Sequence, residues 1–167
     1  AIKNITQFTN EATPLSPADG RAMGGKLGEM QGIIVVPNGD IWTVDQGKAQ
    51  LIHVPGGDPA RARIHCQNRG KNPLDNLFAP FHLAIDQQDR IWVSNSIGSQ
   101  VIRFSTSDPT RVDKFEVGYG GSGLAIDSLG NVWHADRFGS SEKGHAKLVE
   151  LMALYATMGE AAATENL

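Results

Sequence analysis

The apolar positions of this chain come in short runs, each closed by a cluster of Gly, Asn, Asp, Ser or Pro. From Leu83 onward, Leu-Ala-Ile is followed by the polar stretch Asp86 to Arg90. Ile-Trp-Val comes next, then the mainly polar Ser94 to Gln100, then Val-Ile-Arg-Phe. Runs this short, rich in β-branched and aromatic residues and bounded by turn formers, predict strands rather than helices. Here the strands are expected at His82 to Asp86, Arg90 to Asn95, Gln100 to Ser105 and Lys114 to Val117. Asn38-Gly39 and Gly130-Asn131 supply residues that tolerate positive φ in tight turns. Ile2 to Thr9 alternates enough to predict an outermost strand. A 3.6-residue period appears only near the end, where Leu148, Leu151, Met152, Tyr155 and Met158 share one face of an expected helix.

The runs recur. The three tryptophans, Trp42, Trp92 and Trp133, each follow a turn and a β-branched residue, and they are spaced by 50 and then 41 residues. A shift of 50 places Ile41, Trp42, Gln50, Ile52, Asp58, Pro59 and Arg61 on identical residues. A shift of 41 does the same for Leu83, Ala84, Ile85, Asp86, Trp92, Gly98 and Ser99. Each unit reads as a four-stranded antiparallel meander, the size of a propeller blade. The expected organisation is an N-terminal strand and linker over 1–28, three blades over 29–151 (29–78, 79–118 and 119–151), and a C-terminal helix or tail over 152–167.

The stretches Gly32 to Asp45, His82 to Asn95 and Gly123 to Asp136 share a pattern: an apolar triplet, a turn, then Ile/Val-Trp-x-x-Asp/Asn. In this the chain resembles the NHL-repeat and streptogramin-lyase (virginiamycin B lyase-like) β-propellers. The resemblance implies an all-β propeller with an incomplete ring, because closed propellers have typically 4–8 blades. Blade faces left open at both ends call for something to complete the ring. The candidates are the remainder of a longer polypeptide, a separate chain after cleavage, or a second copy making six blades. The third unit departs from the pattern, with extra residues Ser141 to Ala146 and the expected helix in place of a fourth strand.

Composition narrows the class. The 167 residues are 40% apolar with a net charge of -3, which suits a folded domain rather than a disordered chain. No basic cluster invites nucleic acid. The longest uncharged apolar stretch, Gly32 to Pro37, is too short to span a bilayer. The single cysteine, Cys66, excludes an intrachain disulfide and a multi-cysteine zinc site, and is expected either as a buried thiol or paired to another chain. A first residue of Ala is consistent with a removed leader, so the expected location is extracellular or periplasmic.

In this class of propeller the loops leading into innermost strands, and those between second and third strands, surround the channel mouth. His82 stands where the other units have Gly32 and Gly123. The resemblance implies a catalytic histidine with magnesium, or zinc-binding histidines, on this end, so His82 is a candidate base or metal ligand. Glu142 and His145 of the inserted loop are candidate co-ligands for a divalent ion (Mg, Ca or Zn), and Asp136 and Arg137 candidate binding residues. The alternatives are a His82 that only bonds a neighbouring loop and an insertion that is a solvated surface loop. His134 is expected as an interior residue with its hydrogen bonds met, and His53 and His65 at the surface. Asp45, Asn95, Asp86, Asp127 and Asp136 are expected to cap turns, and Trp42, Trp92 and Trp133 to pack blade on blade. The leading functional expectation is an exported propeller binding a small molecule or protein at its channel mouth. The alternatives are a metal-assisted lyase or hydrolase using His82 with Glu142 and His145, and a structural module of a larger assembly.

Overall fold

The turns that close each apolar run fold the chain into antiparallel sheet. The computed structural model describes residues 7–8, 14–16, 26–65, 77–117, 120–136 and 147–150. The first strands, β1 (Gln7–Phe8) and β2 (Pro14–Ser16), pair only with each other. Of the strand expected at Ile2 to Thr9, Gln7–Phe8 is strand, and the remainder lies outside the described residues.

Three meanders follow. The first comprises β3 (Met30–Val35), β4 (Ile41–Asp45), β5 (Gln50–Val54) and β6 (Arg63–His65). The second comprises β7 (Pro80–Ile85), β8 (Arg90–Asn95), β9 (Gln100–Ser105) and β10 (Asp108–Glu116). The third has β11 (Gly121–Ile126), β12 (Val132–Asp136) and β13 (Lys147–Glu150). In every sheet the spatial order is the sequence order, the arrangement of a propeller blade.

The repeat extends to backbone detail. The turn after each innermost strand carries the same two hydrogen bonds: Val36 N–H to Asp40 O and Gly39 N–H to Val36 O, with counterparts at Asp86, Asp89 and Arg90 and at Asp127, Gly130 and Asn131. The third turn residue has positive φ each time, +86° at Gly39, +55° at Asp89 and +87° at Gly130. Glycine adopts this region at little cost, and aspartate tolerates it better than most side chains. Each innermost strand also has a bulge at the same place, between Met30 and Ile33, Pro80 and Leu83, and Gly121 and Gly123.

Blades pack through apolar faces. Trp42, Val44 and Leu51 of the first meet Leu83, Ile91, Val93, Ile102 and Phe104 of the second. Trp92, Val101 and Phe115 of the second meet Leu124 and Val132 of the third. Asp58-Pro59 opens a turn as expected, whereas Asp108-Pro109 begins β10 itself, so the fourth strand expected at Lys114 to Val117 starts at Asp108 instead. Asp58 Oδ1 accepts from the Ala60 amide at the start of a 3-10 turn (Pro59–Arg61), and Asp108 Oδ1 accepts from the Thr110 amide. The described residues contain no α-helix. Lys147–Glu150, within the third blade as expected, forms β13 on the edge of β12, so Leu148, which the 3.6-residue spacing also placed on the helix face, is in strand and pairs with Ala135. Residues 152–167 of the expected helix lie outside the described residues.

Candidate functional site

At one end of the blades, the loops leading into the innermost strands meet the loops between second and third strands. The residue ending each second strand makes the join. Asp45 accepts from the amides of Gly28, Glu29 and Lys48, the second at 2.9 Å. Asn95, its repeat counterpart, accepts from Phe78 N–H at 3.0 Å and donates to Gln100 O at 3.1 Å. Backbone bonds from Gln46 N–H to Glu29 O and from Ser96 N–H to Ala79 O complete the seam. Asp136 holds the same position in the third blade and is buried.

Polar side chains cross this end from blade to blade. Gln31 donates to Gln46 Oε1 at 3.1 Å, and Gln46 donates to Ser96 Oγ at 2.6 Å. Next to Ser96 the surface turns apolar. Ile97 is 59% exposed and Phe78 is 44% exposed, and Ile97 N–H donates to Phe78 O at 3.4 Å. Gly98 turns the loop against Phe78 with φ +132°, a conformation that side-chain-bearing residues rarely adopt. Farther along the edge, Glu116 accepts from Ser99 Oγ and Gln100 Nε2, and these bonds hold its carboxyl below the usual range.

His82 lies in the bulge of β7 and is half-buried. Its backbone N–H donates to Ser94 Oγ at 3.1 Å, and Ser94 Oγ donates weakly to Ser122 O at 3.4 Å in the next blade. Its ring spans the same junction: Nδ1 accepts from the Leu124 amide at 3.3 Å. With Nδ1 accepting, the neutral ring carries its proton on Nε2. Gly32 allows the approach from the other side. A Cβ there would stand 2.9 Å from His82 Cα and 3.0 Å from Phe81 O.

Arg137, Glu142 and His145 lie outside the described residues, as does Cys66. Among the described residues no three His, Cys, Asp or Glu side chains gather to hold a metal ion. His82 has spent Nδ1 on a backbone amide. The described residues therefore do not form a metal centre around it.

The other histidines depart from expectation. His134 is fully buried, as expected of an interior residue, yet neither ring nitrogen has a hydrogen-bond partner among the described residues. Burial holds its pKa below the ordinary 6.5, against the opposing pull of Asp136. His53 and His65, expected at the surface, are half-buried and stack on Trp42. The His53 ring is 4.1 Å away and nearly parallel, and the His65 ring is at 5.5 Å. His53 Nε2 also pairs with Asp40 Oδ2 at 2.8 Å. Asp40 is held below its ordinary pKa by the Gly56 amide first and by His53 next. Cross-strand register makes this cluster, since His53 stands opposite Trp42. Linear spacing gave no hint of it.

The tryptophans behave as blade packing in two units: Trp42 and Trp92 are both 1% exposed within interblade cores. Trp92 and Trp133 donate their indole N–H to Asp86 and Asp127, at 2.9 and 3.1 Å. These aspartates cap their turns as expected, Asp86 also receiving Gln88 N–H, Arg90 N–H and Arg90 Nε.

No protein-family model matches the chain, and no curated protein matches it. Solved structures do. A streptogramin B lyase superposes with a TM-score of 0.60 at 11% identity, over 87% of this chain and 47% of its own. Virginiamycin B lyase from Staphylococcus aureus gives 0.54 at 13%, over 74% and 41%. A nidogen/laminin complex gives 0.61 at 16%, over 79% and 47%. The chain has the β-propeller fold of the streptogramin-lyase type, and it spans less than half the length of each of these chains.

Proposed function

We propose that the protein is an exported propeller whose loop-rich end binds an apolar-bearing ligand, either a small molecule or a segment of a partner protein. The observation that supports this reading is the exposed pair Phe78 and Ile97, set beside the polar chain Gln31, Gln46 and Ser96. Single exposed apolar residues are ordinary on protein surfaces. Two side by side, on loops bonded to a rigid scaffold and rimmed by amides and a hydroxyl, have the composition of a binding site. Such a surface favours a neutral ligand with an aromatic or aliphatic face and amide groups. Export to the extracellular or periplasmic space belongs to this reading. No helix among the described residues is long and apolar enough to cross a membrane.

The test uses N-acetylphenylalaninamide as a neutral aromatic amide, titrated to millimolar concentration while backbone amide shifts are followed by NMR. Shifts should concentrate on Phe78, Ser96, Ile97 and Gln46, and Phe78→Ala should remove them. Shifts confined to the opposite turns at 36–40, 86–90 and 127–131, or unchanged by Phe78→Ala, would sink the reading.

A lyase or hydrolase is the second reading. It is supported by the ring of His82, whose Nε2 has no hydrogen bond among the described residues and which sits in a strand bulge, a feature common beside active sites. In this reading the Leu124 amide fixes the Nε2–H tautomer, so Nε2–H donates to a substrate carbonyl and stabilises the enolate left when solvent base removes the neighbouring C–H proton. Exchange of an acidic substrate C–H proton for solvent deuterium, abolished by His82→Ala, would support it. Undiminished exchange in that variant would remove it.

A further inference from the structure

The outer half of the second blade carries a cleft of about 390 Å³. It lies at the start of β8, whereas Ile97 follows the end of that strand, so the cleft and the apolar pair are at opposite ends of the blade. Cross-strand register builds it. Arg90 stands opposite Ser105, Ser105 opposite Asp108, and Arg103 opposite Asp113. Between Asp108 and Val112 the edge strand β10 bulges, and the bulge brings Arg111 into the lining.

The repeat shows what sets this cleft apart. A shift of 50 carries Asp40, His53, Asp58, Arg61 and Arg63 of the first blade onto Arg90, Arg103, Asp108, Arg111 and Asp113. In the first blade the two inner positions close on each other: Asp40 pairs with His53 at 2.8 Å and accepts from the Gly56 amide at 2.6 Å. The second blade has two arginines there, which repel rather than pair. Each is tied elsewhere. Arg90 donates from Nε to Asp86 Oδ2 at 2.7 Å and from Nη2 to Gln88 Oε1 at 2.6 Å. Arg103 donates from Nε to Asp113 Oδ2 at 2.9 Å and from Nη2 to the same oxygen, and its guanidinium lies 5.1 Å from the Trp92 ring and 5.2 Å from the Phe115 ring. Both cations are therefore held in place before any ligand arrives.

The rest of the lining keeps polar capacity of both kinds. Arg111 is exposed, has no hydrogen bond among the described residues, and acts on Asp108 by charge alone. Asp108 takes both Thr110 bonds on Oδ1, and Asp113 takes Arg103 on Oδ2. Oδ2 of Asp108 and Oδ1 of Asp113 are left as acceptors without a hydrogen bond among the described residues.

We propose that this cleft binds a monosaccharide carrying a phosphate or sulfate ester. The ester oxygens accept from the Arg111 fork within the field of Arg90 and Arg103, and ring hydroxyls donate to Asp108 Oδ2 and Asp113 Oδ1. A bare anion fits less well, because the two carboxylates repel it and receive no hydroxyl from it. A neutral sugar leaves Arg111 unused. The volume suits one sugar ring with its ester, near the lower end of ligand pockets.

Glucose 6-phosphate and glucose 6-sulfate, titrated into the full chain while backbone amide shifts are followed by NMR, test this, with glucose and inorganic phosphate as the separate halves. At least one ester should shift Ser105, Asp108, Arg111 and Asp113 with a dissociation constant on the order of 1 mM, at least about tenfold tighter than either half. Arg111→Ala, at an exposed position, should weaken ester binding by at least about tenfold with unchanged circular dichroism. Asp108→Asn keeps Oδ1 for Thr110 but removes an acceptor and a negative charge, so it should erase the advantage of the ester over inorganic phosphate. No ester binding up to about 10 mM, equal binding of inorganic phosphate to the unaltered chain, or ester binding indifferent to Arg111→Ala would each overturn the proposal.

Discussion

Trp92 hands its indole N–H to Asp86 over 2.9 Å, whereas Trp42, at the same repeat position, has a buried indole N–H with no acceptor among the described residues. The cause is one residue: the place of Asp86 is taken in the first blade by Val36, which is buried in the interblade core. The first blade trades a hydrogen bond for apolar contact, and stacks His53 and His65 on the indole instead.

Trp42→Phe should therefore cost about 1 kcal/mol less than Trp92→Phe, because only the second removes a buried hydrogen bond, whose acceptor keeps Arg90 Nε. Urea unfolding of the two variants measures the difference. Equal losses would mean that the indole bond contributes nothing net.

Asp86→Ala should destabilise by about 2–3 kcal/mol, leaving the Trp92 N–H buried and the turn amides uncapped. Asp127→Ala should cost about 1 kcal/mol, since its tryptophan is half-buried and water replaces part of the lost bond. The ordering of the two urea midpoints is the readout.

Acid should weaken the fold through His134 and His65. Burial lowers both pKa values, with the nearby charges of His53 and Arg63 adding to the effect at His65. A histidine lowered in the folded state takes up its proton more readily when unfolded. Stability is thus fully present above the unfolded value of about 6.5 and falls as pH drops through it, by at most about 1.4 kcal/mol per pH unit for each group. His134→Val copies Val93 of the second blade and should flatten the dependence between about pH 7 and pH 5, followed by urea unfolding at each pH. An unchanged slope would assign the effect elsewhere.

Gly32→Ala and Gly121→Ala should lower stability by about 1–3 kcal/mol. The added methyl would meet His82 backbone in the first case, and His134 Nε2 and the Asn95 carbonyl in the second. Gly123→Ala meets only the Ala135 side chain at 3.5 Å and should be nearly neutral. Thermal melts of the three variants decide whether interblade closeness sets this requirement.

The strands were legible because their information is local. Alternation, turn formers and the tryptophan spacing located Arg90–Asn95 and Gln100–Ser105 to the residue. Leu148 misled because a single apolar residue fits either period until a neighbouring edge claims it. The cluster of Trp42, His53 and His65 was invisible, since strand register and not spacing brings it together. The Gln46 to Ser96 bridge had left a trace: its partners are 50 residues apart, the repeat length itself. The Phe78 and Ile97 pair left none, because loop residues obey no period.

Among the described residues every sheet pairs strands adjacent in sequence, and the blades meet through side chains and loop bonds. Most backbone contacts therefore close short loops, which favours quick formation of each blade and lets folding begin in any of them. Relinking the chain to start at Gly121 should leave each described meander with all its strands, so the order of the blades along the polypeptide is a matter of synthesis rather than of architecture.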